Sequence, residues 1–388
     1  MSEYYYNDYG RADTTERRHS LLGRIVDGVM MILSVVAGLA MIFTLLAPYI
    51  HPSRYWIFPV FGLIAPAVYA VVVLFTLYWI IRWRWRVAAP LLLLLILGFF
   101  KVSLFLKPEL RRHYGEEARY GSGTITVMTY NVRSFYSDQK KWSFDSVAML
   151  IHQVDPDIIC IQEFGLKAED MDRMDALLPE YTRSSVPTDP SDGNSLFYPI
   201  AVYTKYRVLG TASTILRESP YEGQSTWVDL RIGEDTVRII NNHLHSTSIT
   251  ADDEEFLSKK EFLSDTASSA KVKSIVRRFH NNSVLRANQA DTIAQVIRQT
   301  HHARIVCGDF NDTPMSYVYR TMSKGLDDAF SSCGKGYSYT FRGFMDALRI
   351  DYVLYSEPLE CLSYEVLYDV KLSDHYPVVV RLRKVDAD

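Results

Sequence analysis

An acid and an amide stand together after a short apolar run in the C-terminal half of the sequence. Asp309 and Asn311 follow residues 305–307, with Gly308 before them and Phe310 between them. Because side chains alternate along an extended chain, Asp309 and Asn311 leave the same face. The carboxylate can orient or deprotonate water, and the amide can donate to charge that develops on a phosphoryl oxygen. The pair suits hydrolysis of a phosphate ester, although an Asx turn that closes a strand would use the same residues.

Two further polar residues end strand-like segments earlier in the chain. Residues 124–131 alternate and finish at Asn131, and the apolar run 158–162 closes on Glu163. A carboxylate at the end of an apolar strand is costly without a partner. A hard divalent cation is a natural partner for this oxygen ligand, and a Lys or Arg is the structural alternative. Asn131 would hold a carboxylate ligand or a metal-bound water, or it is an ordinary turn residue.

Histidines and acids follow later strand-like segments. His243 and His245 come directly after residues 236–242, and a continued strand would bring both imidazoles to one face. We predict that His243 contacts phosphate or donates a proton, and we interpret His245 as a polar residue of the rim. Asp374 and His375 precede the last strand, where they offer a carboxylate for a cation and an imidazole for a phosphate oxygen. Asp351, which interrupts an apolar run, is available to orient that imidazole.

Helical and strand-like segments alternate through residues 124–384. Helical spacing of apolar residues occurs at 143–153, 167–178, 284–300 and 317–324, and period-two segments outnumber these helices. This pattern indicates two packed sheets flanked by helices. Polar stretches predict loops at 184–199 and 246–282, the second with a solvated helical insertion at about 250–280.

Three long apolar runs precede this part, at about 25–50, 56–81 and 87–106. The first carries only Asp27, the second has no charged residue and the third has Lys101 near its end. A membrane span needs about 20 apolar residues, so all three qualify as transmembrane helices. They would follow a polar tail, 1–24, and precede a linker, 107–123. A buried soluble hairpin is the alternative, whereas a cleaved signal peptide fits poorly because two more runs follow.

Basic residues near the spans predict the orientation in the membrane. Four arginines lie in the tail and three in the second connection, which also carries Trp83 and Trp85, whereas the first connection has only Arg54. Basic residues after the third run weaken this asymmetry. The balance favours a cytoplasmic N-terminus, which with three crossings places the catalytic part outside the cytoplasm.

Charge and cysteine content limit the partners of the soluble part. Residues 1–120 carry 13 Lys and Arg against 8 Asp and Glu, and the remaining residues carry 29 against 37. An acidic soluble part argues mildly against tight non-specific binding of nucleic acid.

The four cysteines, Cys160, Cys307, Cys333 and Cys361, form no CxxC pair, so a zinc site is not expected. We interpret Cys160 and Cys307 as core residues and expect no structural disulfide, which leaves the compartment open.

Six motifs occur in a fixed order along the chain. They are Tyr130-Asn131, Gln162-Glu163, Asn242-His243-Leu244, Gly308-Asp309-Phe310-Asn311, Arg349-Ile350-Asp351-Tyr352 and Ser373-Asp374-His375. This series resembles the endonuclease/exonuclease/phosphatase superfamily, the fold of DNase I, abasic-site endonucleases, inositol polyphosphate 5-phosphatases and neutral sphingomyelinases. The resemblance covers about residues 124–384 and implies a four-layer α/β/β/α sandwich, here preceded by three transmembrane helices. It also implies Mg²⁺- or Mn²⁺-dependent phosphoester hydrolysis by in-line attack of water.

The resemblance assigns roles at the metal. Glu163 matches the principal metal ligand, with Asn131 and Asp374 beside it, and Asp309 matches the residue that orients or activates the attacking water. Abasic-site enzymes carry an acidic metal partner two residues after the matched asparagine. Arg133 stands at that position here, which argues against abasic-site specificity.

The resemblance also assigns roles around the phosphate. Asn311 and His375 would contact the phosphoryl oxygens, and Asp351 would orient His375. His243 matches a histidine of the nuclease and sphingomyelinase branches that holds phosphate or assists the leaving group. We assign Arg133 to substrate binding with Asn311 and His375.

Three functions fit these residues. The first is a membrane-anchored phosphodiesterase or phosphatase outside the cytoplasm, acting on phospholipid head groups or on sugar or inositol phosphates. The second is an extracytoplasmic endonuclease or exonuclease on DNA or RNA, which the acidic soluble part and the lack of a basic aromatic stripe disfavour. The third is an inactive scaffold or binding domain, which would not need the complete set of acids, amides and imidazoles. The bilayer is the expected partner, and no protein partner is predicted.

Overall fold

Two six-stranded sheets form the centre of the C-terminal part of the protein. The computed structural model describes residues 21–108, 123–137, 142–166, 168–186, 198–215, 224–247, 252–253, 256, 266–343 and 346–385. Residues 1–20 of the predicted tail, most of the predicted linker and parts of the two predicted long loops therefore lie outside the described residues.

The strands in chain order are β1 (Leu106–Lys107), β2 (Thr124–Asn131), β3 (Ile158–Leu166), β4 (Thr182–Ser184), β5 (Tyr198–Thr204), β6 (Arg207–Ile215), β7 (Gln224–Ile232), β8 (Asp235–His243), β9 (Ala303–Asp309), β10 (Asp327–Asp328), β11 (Gly336–Tyr337), β12 (Asp351–Tyr355), β13 (Leu359–Val366) and β14 (Val378–Lys384). One sheet has the order β13-β14-β2-β3-β5-β4 and the other β10-β12-β9-β8-β7-β6. β1 pairs with β11 apart from both sheets.

The helices are α1 (Leu21–Leu46), α2 (Ile57–Leu63), α3 (Ala65–Ile81), α4 (Trp85–Val102), α5 (Phe144–Val154), α6 (Ala168–Leu177), α7 (Thr266–Gln299), α8 (Tyr317–Met322) and α9 (Ala329–Cys333). Short 3₁₀ helices occupy Ala47–Tyr49 and Arg133–Phe135.

Alternation along the central strands explains the layers. In β2, Val127 packs between the two sheets, whereas Met128 points outward onto α5 and α6. In β9, Ile305 packs between the sheets, and Val306 faces α7 and α8. Both faces of each sheet are therefore covered, which is why these strands read as continuous apolar runs. The architecture is an α/β/β/α sandwich, so the predicted fold is confirmed.

Strand register brings the predicted site residues to one edge of the sandwich. In the second sheet, Asp309 pairs with His243 across the parallel β8–β9 ladder and with Asp351 across the antiparallel β9–β12 ladder. In the first sheet, Asn131 pairs with Gln162, the residue before Glu163. The ends of β2, β8 and β9, the Gln162–Glu163 part of β3 and the start of β12 thus lie at the same edge.

Apolar helices make up the N-terminal part. Two helices, Gly23–Tyr49 and Trp85–Val102, are long and apolar enough to cross a membrane. The second predicted span, 56–81, is not one straight helix, because α2 and α3 meet at an angle of 76°. Pro66 in the first turn of α3 explains the break, since proline has no N–H to donate to the Gly62 carbonyl four residues earlier.

The start of α1 and the end of α3 are joined by polar contacts. Asp27 Oδ2 lies 2.7 Å from Arg82 Nη2, and Tyr78 donates a 2.8 Å hydrogen bond to Asp27 Oδ1. Further along the same pair, Trp79 Nε1 donates to Ser34 Oγ at 2.7 Å. The outward faces of these helices expose large apolar side chains, including Ile32, Leu74, Leu97 and Phe100.

The cysteines differ from the prediction. Cys160 and Cys307 are buried and free, as expected. Cys333 and Cys361 form a disulfide, with their Cα atoms 6.0 Å apart, so the expectation of no structural disulfide is wrong. The two residues are 28 positions apart in the chain and meet only because α9 packs against β13.

Helix α7 also differs from the prediction. Residues 284–300 were expected as a separate helix after a solvated insertion, but α7 is one helix of 34 residues. No glycine or proline lies within it, so nothing in its sequence ends the helix earlier. In the described part of its N-terminal half, 270–282, the Lys and Arg side chains are exposed or half-buried, whereas Ile275 and Phe279 are buried. In the other half, Ile293 and Ile297 pack on the second sheet.

Candidate active site

Side chains from both sheets line one cavity of about 180 Å³. Five predicted site residues lie in its wall: Glu163, Asp309, Asn311, Asp374 and His375. Glu163 lies within a strand of the first sheet and Asp309 ends a strand of the second, so the cavity lies at the junction of the two sheets. Glu163 and Asp374, which are far apart in the sequence, line the same cavity.

Asp309 is buried at the base of this cavity. Its Oδ1 accepts a 2.7 Å hydrogen bond from the Asn311 backbone N–H, so the Asx turn considered from the sequence is present. Its Oδ2 accepts 3.1 Å hydrogen bonds from the amides of Asn131 and Asn311. Gly308 allows β9 to lie close to Asn242 of β8, because a Cβ on Gly308 would be 2.0 Å from the Asn242 carbonyl oxygen. Burial, opposed by the nearby His375, raises the pKa of Asp309 to about 6.

Asp351 and His375 form a buried pair beside Asp309. His375 Nδ1 donates to Asp351 Oδ2 at 2.9 Å, and His375 Nε2 lies 3.7 Å from Asp309 Oδ2. Burial alone would lower the pKa of His375, but the negative charges of Asp351 and Asp309 raise it to about 10. The ring is therefore an imidazolium held in one orientation, suited to donate a hydrogen bond to an anionic oxygen.

Glu163 is the most exposed acid of the site, with 37% of its side chain accessible. Its Oε1 accepts a 3.0 Å hydrogen bond from Asn131 Nδ2 and lies 3.6 Å from His243 Nε2. No Lys or Arg of the described residues pairs with Glu163. The basic partner that the sequence left open as an alternative to a cation is therefore not found among them. His243 Nε2 also lies 4.0 Å from Asp309 Oδ2, is buried, and has no hydrogen-bond partner within the described part of the chain.

Arg133 lies beside the cavity rather than in its wall. Its Nε is 3.5 Å from Asp374 Oδ2, and 46% of its side chain is exposed. Its backbone N–H donates to Asn131 Oδ1 at 3.0 Å. Arg133 is thus placed to reach an anionic group at the mouth of the cavity.

Two sets of residues offer themselves to a divalent cation. The tightest group is Asp309, Asp351 and His375, which offer ligand atoms within 4.8 Å of one another. These three are already linked as a hydrogen-bonded and ionic chain, and a protonated His375 cannot ligate a metal. In the predicted set, the Glu163 and Asp374 carboxylates provide the oxygen ligands that Mg²⁺ and Mn²⁺ prefer. Asn131 donates its amide N–H groups to Glu163 and Asp309, and its Oδ1 accepts from the Arg133 N–H. The chemistry of the donors therefore fits a hard cation at the Glu163 side of the cavity.

Asn311 is more constrained than the sequence indicated. Both hydrogens of its amide are engaged, one with the Leu244 carbonyl at 3.0 Å and one with Asp309 Oδ2. The Asn311 amide could therefore donate to a phosphoryl oxygen only if one of these two hydrogen bonds were broken.

Arg286 and Leu63 are cavity residues that the sequence reading did not identify. Arg286 is buried, donates to the His245 carbonyl at 3.1 Å and lies 3.6 Å from Asp312 Oδ2. Arg286 therefore connects the segment after β8 to the loop after β9. His245 takes part through its backbone carbonyl and does not line the cavity. Arg286 could have been identified from the sequence, because it is an arginine on the apolar face of a predicted helix. Leu63 lies in an ordinary apolar run and has no such signal.

Comparison with known proteins agrees with this architecture. The sequence model of the Endonuclease/Exonuclease/phosphatase family matches residues 128–375, and a model for a domain of unknown function matches residues 27–104. No curated protein matches the sequence.

Solved structures resemble about two thirds of this chain. An endonuclease/exonuclease/phosphatase family protein from Bacteroides thetaiotaomicron has a TM-score of 0.50 and 19% identity, over 68% of this chain and 98% of its own. A protein of the same family from Bacteroides vulgatus has a TM-score of 0.49 and 22% identity, over 68% and 99%. The mannosyl-6-phosphatase of Bacteroides thetaiotaomicron has a TM-score of 0.47 and 20% identity, over 66% and 99%. Since the family model spans more than half of the sequence, the chain belongs to the endonuclease/exonuclease/phosphatase family, whose members hydrolyse phosphate esters.

Proposed function

We propose that this protein is a membrane-anchored, divalent-metal-dependent phosphoester hydrolase that acts on phospholipid head groups outside the cytoplasm. The observation that carries the proposal is the meeting of Asp309, the Asp351–His375 pair and Glu163 around one cavity. Glu163 with Asn131 and Asp374 would hold Mg²⁺ or Mn²⁺, which would supply positive charge to offset the growing negative charge on the phosphate oxygens.

The residues of the cavity divide the reaction between them. Asp309 orients the attacking water and takes its proton, since its pKa of about 6 leaves it ionised at neutral pH. His375 donates to a phosphoryl oxygen, and Asp351 keeps its ring in place. His243, whose Nε2 has no hydrogen-bond partner among the described residues, donates to the phosphate or to the leaving oxygen. The water oxygen bonds to phosphorus, the opposite P–O ester bond breaks, and the released oxygen takes up a proton.

The proposed membrane topology has three crossings: α1, α2 with α3, and α4. The Asp27–Arg82 pair joins the start of α1 to the end of α3, which supports their lying on the same side of the bilayer.

The domain limits proposed are a cytoplasmic tail 1–24, a membrane domain 25–106, a linker 107–123 and a catalytic domain 124–384. The Cys333–Cys361 disulfide supports an oxidising compartment for the catalytic domain. A C-terminal reporter that works only in the cytoplasm should stay inactive, and an active reporter would overturn this topology.

The central test of the reaction is Asp309→Ala in the full chain in detergent micelles. We expect kcat to fall by about three orders of magnitude or more, because the catalytic groups act as a unit. Asp369→Ala, which changes an exposed acid elsewhere, is the matched control. Assays with Mg²⁺ and with EDTA would use lysophospholipids, inositol phosphates and plasmid DNA. Near-wild-type turnover by the Asp309 variant would end the assignment, and hydrolysis of DNA alone would replace the lipid with nucleic acid as substrate.

A further inference from the structure

Each of the three long apolar segments has one end against the same face of the catalytic domain. After α1, the Tyr49 ring lies 4.3 Å from the Arg320 guanidinium, and the His51 ring lies 4.9 Å from that of Tyr317. After α4, the Leu104 carbonyl accepts a 2.7 Å hydrogen bond from Arg349 Nη2. These contacts place one boundary of the proposed membrane domain directly at α8 and at the start of β12.

The break between α2 and α3 contacts the loop after β9 even more closely. Thr313 Oγ1 donates a 3.0 Å hydrogen bond to the Gly62 carbonyl. A Cβ on Gly62 would lie 2.6 Å from the Met315 carbonyl oxygen, so only glycine permits this approach. The Met315 side chain is buried among side chains of the apolar helices. The loop that begins just after Asp309 is thus seated on the membrane domain.

Leu63, the residue after Gly62, lines the catalytic cavity together with Asp309 and His375. Phe341 and Leu348 extend the same wall with partly exposed apolar side chains. The lining of the cavity is therefore partly apolar and includes a residue of the membrane domain, and the Phe341 ring lies 5.1 Å from that of His375.

Exposed aromatic residues lie just before α2, whose last residue is Leu63. Tyr55 and Trp56, immediately before α2, are 61% and 51% exposed, and such aromatic residues favour the membrane–water interface. α2 has seven residues, so at 1.5 Å per residue Leu63 lies roughly 10 Å along the helix from Trp56. Phe100, near the end of α4, is 83% exposed.

Resting on the proposed function, we infer that the substrate enters from the bilayer at the α2–α3 break and that Leu63 is a specificity-determining residue for its acyl-bearing part. At about 180 Å³ the cavity is smaller than the 300 Å³ or more of sites that enclose a drug-sized ligand. It accommodates the phosphate and a small head group, while the acyl chains remain against the helices. The substrate is therefore a phospholipid of the leaflet that faces the catalytic domain.

The test compares substrates that differ only in the acyl chain. Palmitoyl lysophospholipids with choline, inositol or glycerol head groups would be paired with the corresponding deacylated glycerophosphodiesters. The full chain in lipid nanodiscs with Mn²⁺ should show a higher kcat/KM for the acylated member of the pair. Leu63→Ala should lower the ratio of the two kcat/KM values about tenfold, because it removes apolar contact. Leu63→Met should keep the ratio, and Leu74→Ala, on an exposed face of α3, is the matched control.

Gly62→Ala gives a second test of the same contact. Its Cβ should force the break away from Met315 and lower the ratio as Leu63→Ala does, whereas Gly28→Ala in α1 meets no atom within 4 Å and should not. Folding of each variant would be checked by its thermal unfolding in the same nanodiscs. EDTA-sensitive hydrolysis without preference for the acylated member, or an unchanged ratio in both folded variants, would overturn this inference and leave the hydrolase assignment standing. Absence of EDTA-sensitive hydrolysis of any phosphoester would overturn both.

Discussion

The Thr313 hydroxyl donates a 3.0 Å hydrogen bond to the Gly62 carbonyl, joining a residue four positions after Asp309 to the break between two apolar helices. In a continuous helix the Gly62 carbonyl would accept from the residue at position 66, but that residue is Pro66 and has no N–H. A side chain of the sandwich therefore donates to a backbone carbonyl of the N-terminal apolar helices. This pair of residues links the geometry of those helices to the loop that follows Asp309 and carries Asn311.

Thr313→Val should weaken this link without changing the volume of the side chain much. Thr313 is buried, so the loss of its hydrogen bond should lower the free energy of unfolding by about 1 kcal/mol. Equilibrium unfolding of the full chain in detergent micelles measures the change. Thr292→Val is the control, because the Thr292 hydroxyl is exposed and bonds only to the Asn288 carbonyl of its own helix. Equal effects of the two substitutions would contradict a special role for Thr313.

The Arg349–Asp328 ion pair is a second link between the two parts. Arg349 Nη2 lies 2.7 Å from Asp328 Oδ2, both residues are buried, and the same nitrogen donates to the Leu104 carbonyl. Rings of Phe330 and Tyr352 lie 4.8 and 4.7 Å from the guanidinium. Removing one partner would leave the other charge buried without its counterion, which is more costly than removing both.

Arg349→Met should therefore destabilise the protein by about 3–5 kcal/mol. The double variant Arg349→Met with Asp328→Asn should recover part of this loss, and a double-mutant cycle measures the coupling. Arg173→Met breaks an exposed pair with Asp145 and should cost less than about 1 kcal/mol. A loss at Arg349 no larger than at Arg173 would show that the buried pair does not stabilise the joint.

Local pattern predicted two packed sheets flanked by helices and the polar residues at strand ends, and the family resemblance added the four-layer sandwich. Apolar runs that end in Asp309 or Glu163 are visible in the sequence because strand alternation and the cost of a buried charge are local properties. The order of these runs, together with the family resemblance, fixed which strand ends would meet.

Features that depend on distant contacts were not predictable in this way. Hydropathy is continuous from 56 to 81, so the break at Gly62 was hidden, although the spacing of Gly62 and Pro66 was a usable signal. The Cys333–Cys361 bond depends on the packing of α9 on β13 and has no local pattern. Arg286 enters the site only because α7 crosses above the segment after β8.

The disulfide can be tested directly. Protein extracted from membranes with an alkylating reagent present should yield a Cys333–Cys361 linked peptide under non-reducing conditions. Cys160 and Cys307 are buried and free, so they should be alkylated only after denaturation and serve as internal controls. Because disulfides persist in oxidising compartments, free thiols at Cys333 and Cys361 would argue against the proposed location of the catalytic domain.

The choice between the two sets of metal ligands leads to opposite expectations for two substitutions. Glu163 is half-buried and hydrogen-bonded only through Oε1 to Asn131, which leaves lone pairs directed to the cavity. Asp351 is occupied by the hydrogen bond from His375. We therefore expect Glu163→Gln to weaken Mn²⁺ binding by about tenfold or more, since loss of even an outer partner of a metal site costs that much.

Asp351→Asn should leave Mn²⁺ affinity nearly unchanged and lower kcat, because His375 would lose the carboxylate that holds it as an imidazolium. Electron paramagnetic resonance of free Mn²⁺ measures the affinity in the full chain, and hydrolysis at saturating Mn²⁺ measures kcat. Glu180→Gln is the matched control, because Glu180 pairs with His152 away from the cavity. If Asp351→Asn abolished binding while Glu163→Gln retained it, the cation would belong between Asp309, Asp351 and His375. His375 would then have to be a neutral ligand rather than the donor to the phosphate.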